Sequence, residues 1–383
     1  MSPVDPQLLE RVRRRVGASP APPTAAVVAA ALREEGGVWS GDARDVLLAL
    51  QREIVGAGPL APLLADPEVT DVLVNGPHEV WVDRGAGLER TAIQFADEEA
   101  VRRLAQRLAA GRRIDDAQPW VDALLADGVR LHAVLPPIAS AGTCLSLRVP
   151  RRRVFTLTEL QRAGSLPPDG VVLLQQLVAA RAAFLVSGGT GTGKTTLLSA
   201  LLSLVAPGDR LLLVEDAAEL RPDHPHVVRL QARPPNVEGA GEVTLRDLVR
   251  QALRMRPDRL VVGEVRGAEV LDLLAALNTG HEGGCGTVHA NAATDVPARL
   301  EALAAVAGLG REALHSQLAA ALRVVVHLSR AGSSRRVAEI CVLRPSADGR
   351  IAATVGWSWD GRAEAGTAGP GAALLQAMLS EAS

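Results

Sequence analysis

The stretch Ala183-Phe-Leu-Val-Ser-Gly-Gly-Thr-Gly-Thr-Gly-Lys-Thr-Thr-Leu-Leu198 decides the fold. Ala183 to Val186 reads as a buried strand, and an apolar helical pattern begins at Lys194. Between them lies a loop of glycine and threonine, with Gly188, Gly193, Lys194 and Thr195 at Walker A spacing. Glycines let backbone N–H groups approach a phosphate closely, and the new helix turns its unbonded N–H groups and positive dipole end to the same anion. The loop residues Gly188, Gly189, Thr190, Gly191, Thr192, Gly193, Lys194, Thr195 and Thr196 are therefore the candidate nucleotide cradle. Lys194 is expected to reach the β- and γ-phosphates, and the Thr195 hydroxyl to sit on Mg²⁺. A dinucleotide loop is not available, because no Gly-x-Gly-x-x-Gly can be completed from Gly189 or Gly191.

Lys194 is the only lysine, arginine serving as the base everywhere else. A compact ammonium differs chemically from a planar guanidinium, so this lysine is assigned to chemistry. The 383 residues predict two or three domains. With 48% hydrophobic and 2% aromatic residues, Leu, Val and Ala must fill the cores. Scarce aromatics and a net charge of −2 give no support for a nucleic-acid coat or a base-stacking groove. Cys144, Cys285 and Cys341 form no Cys-x-x-Cys, which fits a reducing cytoplasm rather than a disulfide framework. No apolar run is long enough to span a bilayer, so the expected location is cytoplasmic.

Taken in order, residues 1–50 read as a helical extension, with Asp5-Pro6 as its cap and first turn and a proline-rich break at residues 18–24. Residues 51–150 read as a small α/β domain, with strands at 69–74, 79–83, 129–135 and 143–149. Its helix is capped by Asp97, carries Val101, Leu104, Ala105 and Leu108 on one face, and ends at Gly111. Residues 151–165 are the expected hinge. Residues 166–345 alternate helices with apolar strands at 183–186, 211–215, 260–263, 286–289 and 324–328, the pattern of a largely parallel sheet with crossover helices. Residues 346–383 read as a hairpin and tail.

Hydrolysis requires acids near the γ-phosphate, and two strands end in them. One runs into Glu215-Asp216, the other into Glu264. Acids just past the carboxyl ends of parallel strands face the ligand crevice, where one can hold the Mg²⁺ shell through water and another can orient or deprotonate the attacking water. Gly263 stands where ordinary Walker B motifs carry aspartate, which marks a subclass. The stretch 279–291 places His281, Cys285 and His289 four apart, but its four glycines make a helical zinc face improbable. It reads better as a polar loop that senses the γ-phosphate. Arg246, Arg250 and Arg254 share one helix face that is either solvated or turned to a neighbour's nucleotide.

With these motifs assembled, the chain resembles the secretion ATPase superfamily, and within it the CpaF/tight-adherence branch of type II/IV secretion ATPases, which power Flp-type pili. The resemblance rests on the Walker A at Gly188–Thr195, Glu215-Asp216, the stretch 253–267, the stretch 278–291, and Asp71-Val-Leu-Val-Asn-Gly-Pro and Asp127-Gly-Val-Arg130 upstream. It implies an α/β fold with a RecA-like P-loop NTPase core, a smaller N-terminal α/β domain and a helical extension. It implies a homo-oligomer, a ring of six, with ATP and Mg²⁺ held between the two domains of a protomer and its neighbour. Glu215 and Asp216 match the acidic box, Glu264 the catalytic glutamate, and His281 and His289 the histidine box. Glu215 and Glu264 would reach Mg²⁺ through water. Arg130 and Arg148 match arginines brought to the nucleotide from the N-terminal domain, whereas Leu124 stands where relatives commonly carry arginine.

The activity implied is a mechanochemical ATPase at the inner face of the cytoplasmic membrane, acting on polytopic platform proteins to assemble a pilus or export protein, with no direct nucleic-acid contact. A conjugation-type traffic ATPase moving DNA or effector proteins is the nearest alternative, and a nucleic-acid-stimulated motor or nucleotide-dependent switch the alternative of another class.

Overall fold

A computed structural model describes residues 11, 15, 30, 31, 34, 56–109, 111–125, 128–150, 154–233, 235, 240–280, 282–332 and 334–380. The chain divides into two compact units, residues 1–151 and 152–383. Most of the expected N-terminal extension, the first residues of the expected hinge, and His281 lie outside the described residues.

In the first unit, strands β1 (Asp71–Asn75), β2 (Val80–Asp83), β3 (Leu88–Arg90), β4 (Trp120–Leu124), β5 (Arg130–Val134) and β6 (Cys144–Arg148) form one sheet in the order β3-β2-β1-β6-β5-β4. Every pairing is antiparallel. A short helix α1 (Ala61–Ala65) precedes the sheet, and α2 (Glu98–Leu108) follows β3. The Asp97 side chain caps α2 by accepting from Ala100 N at 2.7 Å. Alternate strand residues such as Val72, Val82, Leu131 and Leu147 share a core with Val101, Leu104 and Leu108 of α2. Strand alternation leaves the odd partners, among them Trp120, Leu124, Arg130 and Arg148, on the exposed face.

The second unit is built on a nine-stranded sheet. Its strands are β7 (Phe184–Gly188), β8 (Leu211–Glu215), β9 (Val227–Gln231), β10 (Arg259–Val265), β11 (Cys285–Val288), β12 (Val324–Ala331), β13 (Ser334–Pro345), β14 (Ile351–Ser358) and β15 (Thr367–Ala368). The order is β15-β14-β13-β12-β7-β11-β10-β8-β9. From β12 to β9 the pairings are parallel, and β12 to β15 form an antiparallel meander on one flank.

Helices α3 (Leu157–Arg162), α4 (Pro168–Ala179), α5 (Lys194–Leu202), α6 (Leu245–Ala252), α7 (Glu269–Leu277), α8 (Val296–Val306), α9 (Arg311–Ala321) and α10 (Ala372–Ser380) cover both faces. That covering explains why β7 and β8 are buried at every position and read as continuous apolar runs. Phe184 and Val186 join Leu174, Leu197 and Leu201 in one core, while Leu185 and Val262 join Leu248, Leu273 and Leu300 in the other. Each such side chain contributes about 1.5–3 kcal/mol by leaving water. Residues 346–380 belong to this unit: Leu375 and Leu379 of α10 are buried in the first of these cores, and Trp357 donates to Asp169 of α4 at 2.7 Å.

Candidate nucleotide site

The carboxyl ends of four adjacent parallel strands carry the candidate residues. β7 runs into the glycine loop, β11 into His289, β10 into Glu264, and β8 ends in Glu215 followed by Asp216. Strand β11, between β7 and β10, sets the lateral spacing between the phosphate loop and Glu264.

The loop from Gly188 to Gly193 passes directly into α5. Gly193 caps that helix at φ 97°, a backbone conformation that glycine adopts without a Cβ penalty. At Gly188 a Cβ would lie 2.6 Å from the Leu328 carbonyl oxygen and 2.7 Å from Thr192 Oγ1, so only glycine lets β12 and the loop close on each other here. Thr192 Oγ1 donates to Gly189 O at 2.9 Å and holds the loop's curl. Lys194 is buried, and its Nζ donates to Gly188 O at 3.0 Å and Gly189 O at 2.8 Å. Burial lowers its pKa, with Glu264 opposing the shift. Thr195 and Thr196 sit half-buried in the first turn, and Gly189 and Thr190 lie at the loop's outer edge. The first N–H groups of a helix have no intrahelical acceptor, so this turn is shaped to receive an anion.

Glu264 sits at an irregularity. The β10–β11 register shifts between Val262 and Val265, and such a bulge re-aims side chains next to active sites. Its carboxylate is hydrogen-bonded to Arg266 Nη2, and Glu264 Oε1 lies 2.9 Å from His289 Nε2. Burial alone would push the Glu264 pKa up, but Arg266, His289 and Lys194 outweigh it and hold the carboxyl below its ordinary value. The His289 pKa is lowered by burial and by Lys194, with Glu264 opposing the shift. Arg266 also reaches Asp216 at 4.0 Å, so one guanidinium spans the acids of two strands.

Glu215 is in the opposite state. It is 3% exposed, and burial pushes its pKa up to about 7, opposed by the Leu220 and Glu219 N–H groups that donate to Oε1 at 2.8 and 2.9 Å. Its other oxygen, Oε2, is buried with no hydrogen-bond partner among the described residues. Glu215 also explains Gly263. A Cβ built at Gly263 would lie 2.7 Å from Glu215 Cγ and 3.3 Å from its Cβ and Oε1. The Glu215 methylene fills the space that a side chain at position 263 would need.

These residues fit a nucleoside triphosphate with a divalent cation. The loop offers amide donors and one ammonium. Glu215 Oε2, buried without a hydrogen-bond partner among the described residues, is an acceptor of the kind that suits a water of a cation's hydration shell. Among the described residues no group of three or more His, Cys, Asp and Glu forms a cage for a metal, so a cation here would depend on the phosphates for its remaining ligands. Cys285 lies inside β11 as a buried strand residue, so the four-residue spacing to His289 is not helical.

The remaining candidates fall elsewhere. His281 lies outside the described residues. Arg130 and Arg148 belong to the first unit, where they stand opposite each other in register. Leu124 faces Arg130 in the same row, and Asp71 faces Arg148 and accepts from its Nε at 3.3 Å. Arg246 and Arg250 are committed within the chain: both ion-pair Asp272 of α7, at 2.6 and 2.9 Å. Sequence reading passed over Arg266, although it sat inside the quoted 253–267 stretch. It also missed Arg335, whose Nε donates to Gly191 O at 2.9 Å from 144 residues away, and the buried pair of Ser187 Oγ and His327 Nδ1 at 2.9 Å. Neither had a local signal.

A family model described as "Type II/IV secretion system protein" matches residues 53–356. A putative conjugal transfer protein of Mycobacterium tuberculosis (strain ATCC 25618 / H37Rv) is 60% identical over 346 residues, covering 88% of this chain and 97% of its own length. The probable conjugal transfer protein TrbB of Sinorhizobium fredii is 31% identical over 298 residues, covering 76% and 88%. Among solved structures, the pilus retraction motor PilT with bound ADP superposes with a TM-score of 0.51 at 19% identity, covering 84% of this chain and 85% of that one. At that identity the likeness speaks for the fold alone.

Proposed function

The chain belongs to the type II/IV secretion system protein family, and on that premise we propose that it is a ring-forming ATP hydrolase that powers Flp/tight-adherence-type pilus assembly or protein secretion. One observation carries the catalytic part. Lys194, Glu264, His289 and Glu215 converge at the carboxyl ends of four adjacent strands, with Glu264 held ionised and Glu215 held protonatable. Two carboxyls in different electrostatic states are what divide the work of positioning a water and of holding a cation shell.

In this reading the triphosphate takes the loop amides and the first turn of α5, and the Lys194 ammonium exchanges the Gly188 and Gly189 carbonyls for the β- and γ-phosphates. The Glu264 carboxylate orients the attacking water and accepts its proton, while His289 and Arg266 hold that carboxylate in place. Bound Mg²⁺ would neutralise charge on the β- and γ-oxygens, and Thr195, with Glu215 and Glu264 through water, would hold it. Arg130 and Arg148 are our proposed further source of positive charge for the triphosphate. The ring, its platform proteins in the inner membrane and a cytoplasmic, membrane-peripheral location are part of the same proposal. Among the described residues no helix is long and apolar enough to cross a membrane.

A second reading is favoured by a specific observation: two relatives bear conjugal transfer names. Steady-state ATP hydrolysis by the purified chain, with and without single-stranded DNA, separates the two. Slow turnover indifferent to DNA supports a pilus or secretion motor; strong stimulation by DNA supports conjugation-type transfer. A chain that hydrolyses no ATP under any of these conditions overturns both.

A further inference from the structure

The hairpin of β12 and β13 is a part of the second unit that the hydrolytic machinery does not use. Strand β12 lies on the side of β7 opposite β11, β10 and β8. Its pairing with β7 ends at Leu328–Gly188, yet its pairing with β13 continues through Ser329–Arg336, Arg330–Arg335 and Ala331–Ser334. The hairpin therefore overruns the sheet and stands beside the phosphate loop. Arg335 Nε donates to Gly191 O at 2.9 Å, and Arg335 Cδ comes within 3.7 Å of where a Gly193 Cβ would be. Arg330 Nη1 lies 3.3 Å from the corresponding point at Gly191. Arg330 Nε donates to Gly332 O at 2.9 Å, which ties its guanidinium plane to the turn.

A nucleoside triphosphate is extended, and its γ-phosphate must meet Glu264 on the β11–β10 side. Its nucleoside end then points the other way, over β12. A purine in water-exposed surroundings needs a flat partner. The hairpin carries no phenylalanine or tryptophan between Val324 and Pro345, its one imidazole, His327, is buried against Ser187, and the chain has no tyrosine at all. A guanidinium is planar and stacks on π-systems, which an ammonium does not. We propose that the exposed Arg330 is the nucleobase-binding residue, stacking its guanidinium on the purine. This assignment rests on the nucleotide reading above and specifies which end of the ligand the hairpin holds.

The test is calorimetric binding of two probes to the full chain, a non-hydrolysable ATP analogue and inorganic tripolyphosphate. Wild type is expected to bind the analogue more tightly than tripolyphosphate, and Lys194→Ala to lose both. Arg330→Ala is expected to weaken the analogue roughly 3- to 30-fold, the range of a cation–π contact, while leaving tripolyphosphate within about twofold. Arg330→Lys keeps the charge without the plane and is expected to remain weak. Equal loss for both probes, full rescue by lysine, or a wild type that binds both probes equally would overturn the assignment and leave the nucleotide reading intact. A wild type that binds neither probe would overturn the nucleotide reading and this assignment with it.

Discussion

Gly263→Ala puts a methyl carbon 2.7 Å from Glu215 Cγ, well inside van der Waals contact. Glu215 cannot swing aside cheaply, because Oε1 is held by two backbone donors at 2.8 and 2.9 Å and the side chain is enclosed. Overpacking of this kind costs about 1–3 kcal/mol. Glu215→Ala removes Cγ and Oε1 and leaves the same methyl facing only the Cβ at 3.3 Å, a contact that a shift of a few tenths of an ångström relieves. Its cost should then fall below about 1 kcal/mol, or reverse, since alanine is less costly than glycine within a strand by about 0.5–1 kcal/mol. The double-mutant cycle is therefore expected to show a coupling of about 1–3 kcal/mol between positions on β10 and β8. Hydrogen exchange of the β8 and β10 amides reads it locally, without requiring the two units of the chain to unfold together. An equal cost of Gly263→Ala in both backgrounds, or none in the wild type, would refute the view that Glu215 dictates glycine at 263.

Four further outcomes are expected. Lys194→Ala should abolish nucleotide binding, measured by calorimetry. Glu264→Gln should retain nucleotide binding and lose turnover; ordinary turnover would remove Glu264 from the mechanism. Glu215 has a folded pKa of about 7 against an ordinary 4.5, so its contribution to stability is fully present below 4.5 and lost as pH rises through 7. The whole effect is about 3 kcal/mol, and Glu215→Gln should flatten the pH dependence of urea unfolding between pH 5 and 8. If a neighbouring protomer completes the site, specific activity should rise with protein concentration, and a flat dependence across the assembly range would count against the ring.

The parallel core was legible because β7, β8 and the Leu260–Val262 stretch of β10 are buried on both faces, which forces short apolar runs that end abruptly at glycine or acid. The phosphate loop was legible for a related reason: close backbone approach and left-handed dihedrals restrict the residue types a position accepts. Position 263 was legible only as an oddity. The sequence showed a glycine where aspartate is usual, but the cause is a side chain 48 residues upstream, and only the packing of β8 against β10 connects them. Arg246 and Arg250 illustrate the reverse. Their helical spacing left open a solvated face or one turned to a neighbour's nucleotide, and neither reading foresaw that Asp272 on α7 pairs with both. The hairpin arginines were illegible because the β12–β13 hairpin, running past the end of β7, brings residues 330 and 335 to residue 191, and no local periodicity records a contact of that span. In the first unit, Arg130 and Arg148 share a row because of register, which is set by which strands pair rather than by either strand's own pattern.

The chain's single lysine has a practical consequence in amine chemistry. Lys194 carries the molecule's one ε-amine, that amine is enclosed, and its lowered pKa enlarges the neutral, nucleophilic fraction. The folded protein therefore offers acylating reagents, crosslinkers and lysine-directed tagging almost no surface amine. Acylation at this position would itself report on the phosphate loop. Intact-mass analysis after brief treatment with an amine-reactive ester would show at most one side-chain adduct, and its suppression by bound nucleotide would turn the protein's own composition into an occupancy gauge.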